Sequence, residues 1–210
     1  MAKLKGPLFS LGASGQLAKT LVFFPWKGLN VAREYVIPSN PQTALQVTHR
    51  GYMTAAVAAI HAAQADATHP MLSIDQVAYS ALAAAKGIIM TWFNQISKLW
   101  IDVAVAAKSS VIYHGGVFGA KTAAAFEFHL YLTEETGSDL AAGKFYFGTS
   151  KTNLINSEAC DINPGSYVYI NVVDLQAFLT AGVKYYVQFR PDVGDPSEGA
   201  DSGIYNFVAE

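Results

Sequence analysis

The sequence predicts an α+β protein: an extended N-terminal arm or β-hairpin, an α-helical segment, and a C-terminal all-β sandwich. Three observations carry this. Glycines break up the first 40 residues around the apolar run Leu21-Val22-Phe23-Phe24. From about 41 to 108 the chain is rich in alanine, and its apolar residues recur at helical spacing. From about 109 to 210, short runs of β-branched and aromatic residues alternate with turn signals, the pattern of a two-sheet all-β domain. The predicted domains are therefore 1–40, 41–108 and 109–210.

In the arm, Gly6, Gly12, Gly15 and Gly28 disfavour helix. Leu21 to Phe24 reads as a strand and Pro25-Trp26-Lys27-Gly28 as a turn. Asn30 to Ile37, with Val31, Tyr35, Val36 and Ile37, reads as the returning strand. An isolated hairpin is marginal in water, so this one must bury its apolar face against something larger.

In the helical segment, Pro38 and Pro41 close the arm, and Thr43 is placed to cap a helix running to about Ala65. Ser73-Ile74-Asp75-Gln76 fits a capping box for a second helix, which Gly87 ends or interrupts. Thr91 caps a third, with Trp92, Phe93, Ile96, Leu99 and Trp100 at helical spacing. Val77 to Ala107 is the most apolar long stretch. Lys86, Asn94, Gln95, Lys98 and Asp102 interrupt it, which argues against a membrane span. In the last segment the strand candidates are Ser110–Phe118, Phe126–Leu132, Lys144–Phe147, Tyr167–Val173, Lys184–Phe189 and Gly203–Val208.

Apolar residues make up 51% of the 210-residue chain and charged residues only 14%, against about 25% in an average soluble protein. The mean hydropathy is +0.22. A surface short of charge points to burial against other subunits, whose interface cores are depleted in charge. The net charge of −2 provides no global basic field for nucleic acid, and there is no polybasic run for an anionic membrane. The single cysteine, Cys160, excludes an internal disulfide framework and a multi-cysteine zinc site. Pro7 to Ala13 is too short and too broken by glycine for a secretory signal.

Residues 1 to about 105 carry Trp26-Lys27-Gly28, Arg33, Asn40-Pro41-Gln42-Thr43, Gln46, Arg50 and Met90-Thr91-Trp92-Phe93-Asn94. This ensemble resembles a group of small proteins of unknown function encoded in bacteriophage and prophage genomes. Two departures stand out. Trp92 replaces the usual glycine of that last motif, and Ile60-His61 stand where the family commonly has a tryptophan. Further on, Leu179-Thr180-Ala181-Gly182-Val183-Lys184-Tyr185-Tyr186-Val187-Gln188-Phe189 resembles the corner before a late strand of fibronectin type III or similar Ig-like sandwiches, with Ser202 to Val208 as the last strand. The resemblance implies a virion-surface or cell-surface packing or binding module. Fold alone does not assign function.

No complete catalytic motif appears. Gly12-Ala13-Ser14-Gly15-Gln16-Leu17-Ala18-Lys19-Thr20 approaches a phosphate-binding loop, but Ala18 stands where the glycine before the lysine is required, and no strong helix follows. His49, His61, His69, His114 and His129 form no metal-binding spacing. Asp192, Asp195, Glu198 and Asp201 share one late loop without EF-hand spacing, which leaves solvated carboxylates or a calcium site. Trp26, Trp92, Trp100 and the tyrosines suit core or interface anchors better than a sugar groove.

The sequence-level expectation is a non-enzymatic structural subunit of a virion or similar assembly, with an extracellular filament or a cell-surface, carbohydrate-binding protein as the alternative. Phe23, Phe24, Trp26, Lys27, Arg33, Tyr35, Asn40, Gln46 and Arg50 are the candidate interface residues. The expected partners are further copies of the chain and other virion or filament subunits. No cofactor, metal or small-molecule substrate is expected, and neither nucleic acid nor membrane is an expected partner.

Overall fold

The computed structural model describes residues 15–27, 29–37, 39, 42–122, 125–134, 140–163, 167–171 and 179–210. The chain forms two compact units, Met1–Thr43 and Ala44–Glu210. Among the described residues there are three helices and eleven strands in three antiparallel sheets, an α+β fold.

The first unit is a three-stranded sheet of order β1-β2-β3, with β1 Gly15–Leu17, β2 Leu21–Trp26 and β3 Leu29–Glu34. Strand β1 was not anticipated. It pairs with β2 from Gly15↔Phe23 to Leu17↔Leu21, and Ala18 and Lys19 take left-handed backbone in the intervening turn. The second turn is centred one residue later than the sequence suggests. Trp26 pairs with Leu29, so Pro25 belongs to β2 opposite Asn30, and Lys27, at φ 48°, begins a two-residue turn. Such turns favour positive φ. Alternation from the Trp26↔Leu29 pair points the Pro25 nitrogen away from β3, and among the described residues β1 reaches only Phe23, so the missing N–H removes no bond between the described strands.

The second unit opens with α1 (Ala44–Ala65), α2 (Ser73–Ala85) and α3 (Trp92–Val105). Ala56, Ile60 and Ala63 of α1 fall on one face and join Met71, Tyr79, Leu82, Ile96, Trp100, Ile112 and Ile204 in a helical core. The start of α2 differs from the sequence reading. Leu72 is the N-cap, Ser73 is already helical, and the Asp75 carboxylate accepts from the Leu72 N–H at 2.8 Å. Gly87, at φ 71°, ends the helix: its N–H donates to Ala84 O and that of Ile88 to Ala83 O, a Schellman motif. Thr91 caps α3, its hydroxyl accepting from Asn94 N.

The change to β structure falls between Val105 and β4 (Val111–Thr122). Next come β5 (Ala125–Glu134), β6 (Gly143–Gly148), β7 (Asn156–Ala159), β8 (Asp161–Asn163), β9 (Tyr167–Asn171), β10 (Lys184–Pro191) and β11 (Tyr205–Val208). Two four-stranded sheets result, β4-β5-β9-β8 and β11-β10-β6-β7. Their inward side chains share one core. Phe128 packs against Phe145 and Tyr205, Tyr113 against Phe189, and Phe118 and Phe126 against Phe207. The short strands β7 and β8 were not foreseen, and residues 172–173 of the predicted Tyr167–Val173 strand lie outside the described residues.

Helices and sheets belong to the same compact unit, and buried polar contacts join them. Tyr79 Oη donates to Tyr113 O at 3.0 Å and accepts from Tyr113 N at 3.2 Å. The Ile204 N–H donates to Ala78 O. Gly203 permits that approach, since a Cβ there would lie 2.7 Å from Ala78 Cβ and 2.9 Å from Tyr79 N.

Candidate functional surfaces

The residues nominated from the sequence divide among several places. In the first unit, alternation along β2 puts Val22, Phe24 and Trp26 on one face with Val31 and Arg33 of β3. The Arg33 guanidinium lies 5.2 Å from the Phe24 ring centre and Lys27 Nζ lies 6.0 Å from that of Trp26. Phe23 is on the opposite face, opposite Ala32. The Tyr35 N–H donates to Thr20 O at 2.8 Å and holds the end of the hairpin. None of the described side chains of this unit is buried, and Trp26 is 60% exposed. Gln46 and Arg50 belong to the second unit, on the exposed first turns of α1. Gln46 lines a groove of about 510 Å³ with Leu45, Thr48, His49, Tyr52 and Val105. Asn40 lies outside the described residues.

The residue types that suggest chemistry are occupied structurally. β2, not a helix, follows Lys19 and Thr20, so the phosphate-loop geometry is not built. The Cys160 thiol donates to Gly143 O, and burial pushes its pKa up to about 12, far from a nucleophile's range. Two of the four carboxylates of the late loop have separate partners, and a third is buried. Asp195 accepts from the N–H groups of Ala141, Ala142 and Ser197. Glu198 pairs with Lys108 at 2.6 Å. Burial raises the pKa of Asp201. Among the described residues no group of three or more His, Cys, Asp or Glu side chains could hold a metal ion.

The tightest polar cluster centres on a residue that sequence reasoning saw only inside a capping box. Asp75 is 0% exposed. Its Oδ2 accepts from Leu72 N (2.8 Å) and Gly115 N (3.1 Å), and its Oδ1 from Gly116 N (3.0 Å) and Tyr205 Oη (2.7 Å). β4 breaks register between His114 and Val117, which turns two successive amides onto the carboxylate. Gly115 takes φ 61°, and a Cβ on Gly116 would lie 2.5 Å from Tyr205 Cε1. The clue in the sequence was Gly115-Gly116 inside a strand run, a bulge signal. Four donors meeting one carboxylate make a structural lock between α2, β4 and β11.

The outer faces of the two sheets differ in charge. Outward positions of β4-β5-β9-β8 bear Glu127, His129, Tyr131, Tyr167, Tyr169 and Asp161, and no Lys or Arg among the described residues; at the β4 edge the outward Ile112 and His114 are buried, Ile112 in the helical core, and the Tyr131 ring stacks on His69 with centres 3.3 Å apart. His129 Nε2 bonds Glu127 Oε1 at 2.6 Å, and its ring stacks on Tyr167 with centres 5.5 Å apart. Outward positions of β11-β10-β6-β7 bear Lys144, Tyr146, Lys184, Tyr186 and Arg190, and no carboxylate among the described residues. Arg190 lies over Tyr146 and Lys184 over Tyr186. Among the described residues no helix is long and apolar enough to cross a membrane.

Comparison with protein-family models, with curated proteins and with solved structures returned no match in any of the three.

Proposed function

We propose that the chain is a non-enzymatic structural subunit of a virion or similar supramolecular particle, self-associating through its N-terminal hairpin unit. One observation carries the reading: Met1–Thr43 is a compact unit of its own around a three-stranded sheet, yet none of its described side chains is buried. So small a sheet cannot enclose a core, while Phe24, Trp26 and Val31 share one face. Burying a large apolar side chain contributes about 1.5–3 kcal/mol, so a few such anchors repeated over many contacts suffice to hold a lattice. A neighbouring copy is the natural place to bury them.

The β-sheet part of the second unit, from about 109 to 210, is read as an Ig- or fibronectin III-like sandwich that serves as a packing or surface-binding module. Its strand orders suit the A-B-E-D and G-F-C-C′ sheets of that architecture. Tyr185, at the start of β10, accepts from the Thr180 N–H at 3.0 Å, in the manner of the tyrosine corner of such folds.

Deleting residues 1–37 tests the assembly role. The shortened chain is expected to keep the helix and sheet circular dichroism of the second unit and to run as a monomer in light scattering, while the full chain forms particles, tubes or fibres. Trp26→Ala in the full chain is expected to weaken assembly without loss of fold. A truncated chain that assembles like the full one overturns the reading.

A further inference from the structure

We infer that the two outer sheet faces of the second unit are complementary docking surfaces, the β4-β5-β9-β8 face of one copy taking the β11-β10-β6-β7 face of the next. This rests on the reading of the chain as a self-assembling subunit and names a contact within it. Away from its helix-covered β4 edge, the first face offers Glu127 and Asp161 among His129, Tyr167 and Tyr169, with no Lys or Arg among its described residues. The second offers Lys144, Lys184 and Arg190 beside Tyr146, while Tyr186 packs partly against the helical core of its own copy. Glu158 pairs with Phe145, which points into the core, so that carboxylate lies on the inner side of its sheet. Each face is therefore rich in tyrosine and of one sign, and the signs are opposite.

The two faces cannot meet within one copy. Their sheets share a core through their inner sides, so the outer sides point in opposite directions. Either face against its own kind sets like charges together, which costs affinity and suppresses the two-fold pairing usual in dimers. One face against the other pairs carboxylates with ammonium and guanidinium groups and lays tyrosines on tyrosines. That contact is head-to-tail: it leaves an unused face at each end and propagates into a ring or a fibre. With the β4 edge covered, three strands about 4.8 Å apart and some five residues long leave roughly 240 Å² a side. That is below the roughly 800 Å² a side of a stable complex. The sheet contact sets orientation and register, and the hairpin unit supplies the remaining affinity.

Charge reversal in the full chain tests this. E127K/D161K makes both faces basic, and K144E/K184E makes both acidic. All four positions are on outer sheet faces, so circular dichroism is expected to match the wild type. Each variant alone is expected to associate about tenfold more weakly by sedimentation velocity, the size set by losing two surface ion pairs and gaining repulsion. An equimolar mixture is expected to recover wild-type assembly, because every basic face then meets an acidic one. Variants that assemble normally alone, or a mixture no better than its components, overturn the inference. Assembly that responds to Trp26→Ala but ignores both reversals removes the sheet contact and leaves the hairpin reading standing. The opposite pattern removes the hairpin reading and leaves the sheet contact. A wild-type chain that stays monomeric removes both.

Discussion

Asp75 shows how one side chain can decide whether three elements stay together. Its four donors come from the chain entering α2, from two amides of the β4 bulge, and from the Tyr205 hydroxyl on β11. Asp75→Ala strands those donors in a dry site. Each unsatisfied buried group costs about 1–3 kcal/mol, so a loss of roughly 3 kcal/mol or more is expected, read from the urea midpoint. Tyr205→Phe removes a single donor and should cost only about 1 kcal/mol; equal losses would refute a shared lock centred on the carboxylate. A second buried residue gives the fold a pH dependence. His114 Nδ1 lies 2.7 Å from His69 O and its Nε2 bonds Thr133 Oγ1, an arrangement that suits the neutral ring donating from Nδ1 and accepting at Nε2. Burial lowers its pKa below the ordinary 6.5. The unfolded chain then binds the proton first, so this stability is fully present above 6.5 and is lost as pH falls from there through the folded value. Urea midpoints between pH 8 and pH 5 should fall for the wild type and fall less for His114→Gln. A variant as acid-sensitive as the wild type would place the effect elsewhere.

At the scale of elements, sequence signals worked where a single residue type forces the backbone, and failed where context does. Gly87 was a readable stop because it sits at φ 71° just past α2. The end of α3 uses the same motif, with Lys108 N donating to Val103 O and Ala107 N to Ala104 O, but Ala107 occupies the left-handed position at φ 56°. No propensity rule announces an alanine there, and it is strained. Ala107→Gly should therefore raise stability by about 0.5–1 kcal/mol, and Gly87→Ala should lower it by about as much, both measurable as shifts in melting temperature. An Ala107→Gly variant less stable than the wild type would contradict the strain. Pro25 misled the reading of the hairpin because a proline signals a turn, and only the register tells that its nitrogen points away from β3. Strands β7 and β8 escaped because short polar edge strands lack the alternation of a half-buried strand. Asp75 was hidden for another reason: its partners are some 40 and 130 residues away in sequence.

At the scale of the whole molecule, the near-neutral total conceals a division. The first 43 residues hold Lys3, Lys5, Lys19, Lys27 and Arg33 against Glu34 alone, a net charge of +4. With −2 on the whole chain, residues 44–210 carry −6. The boundary of this division is the boundary between the two compact units. The net charge of −2 conceals that two copies present opposite charges to each other whenever the hairpin unit of one approaches the second unit of another. Such complementarity acts mainly on the rate of encounter and is screened within about 10 Å at 0.1 M salt. Apolar side chains such as Trp26 and Phe24 are not screened, and in the proposed assembly they are the groups that would govern how long a contact lasts. The initial rate of assembly, followed by light scattering, should thus fall by about an order of magnitude between 20 mM and 500 mM sodium chloride, with a smaller change in the rate at which preformed particles dissociate on dilution. Neutralising the hairpin with Lys19→Gln, Lys27→Gln and Arg33→Gln should flatten the salt dependence of the assembly rate while leaving Trp26 to hold the contact. An assembly rate that rises with salt would mean that copies meet against a net repulsion, and that the opposite charges of the two units take no part in bringing them together.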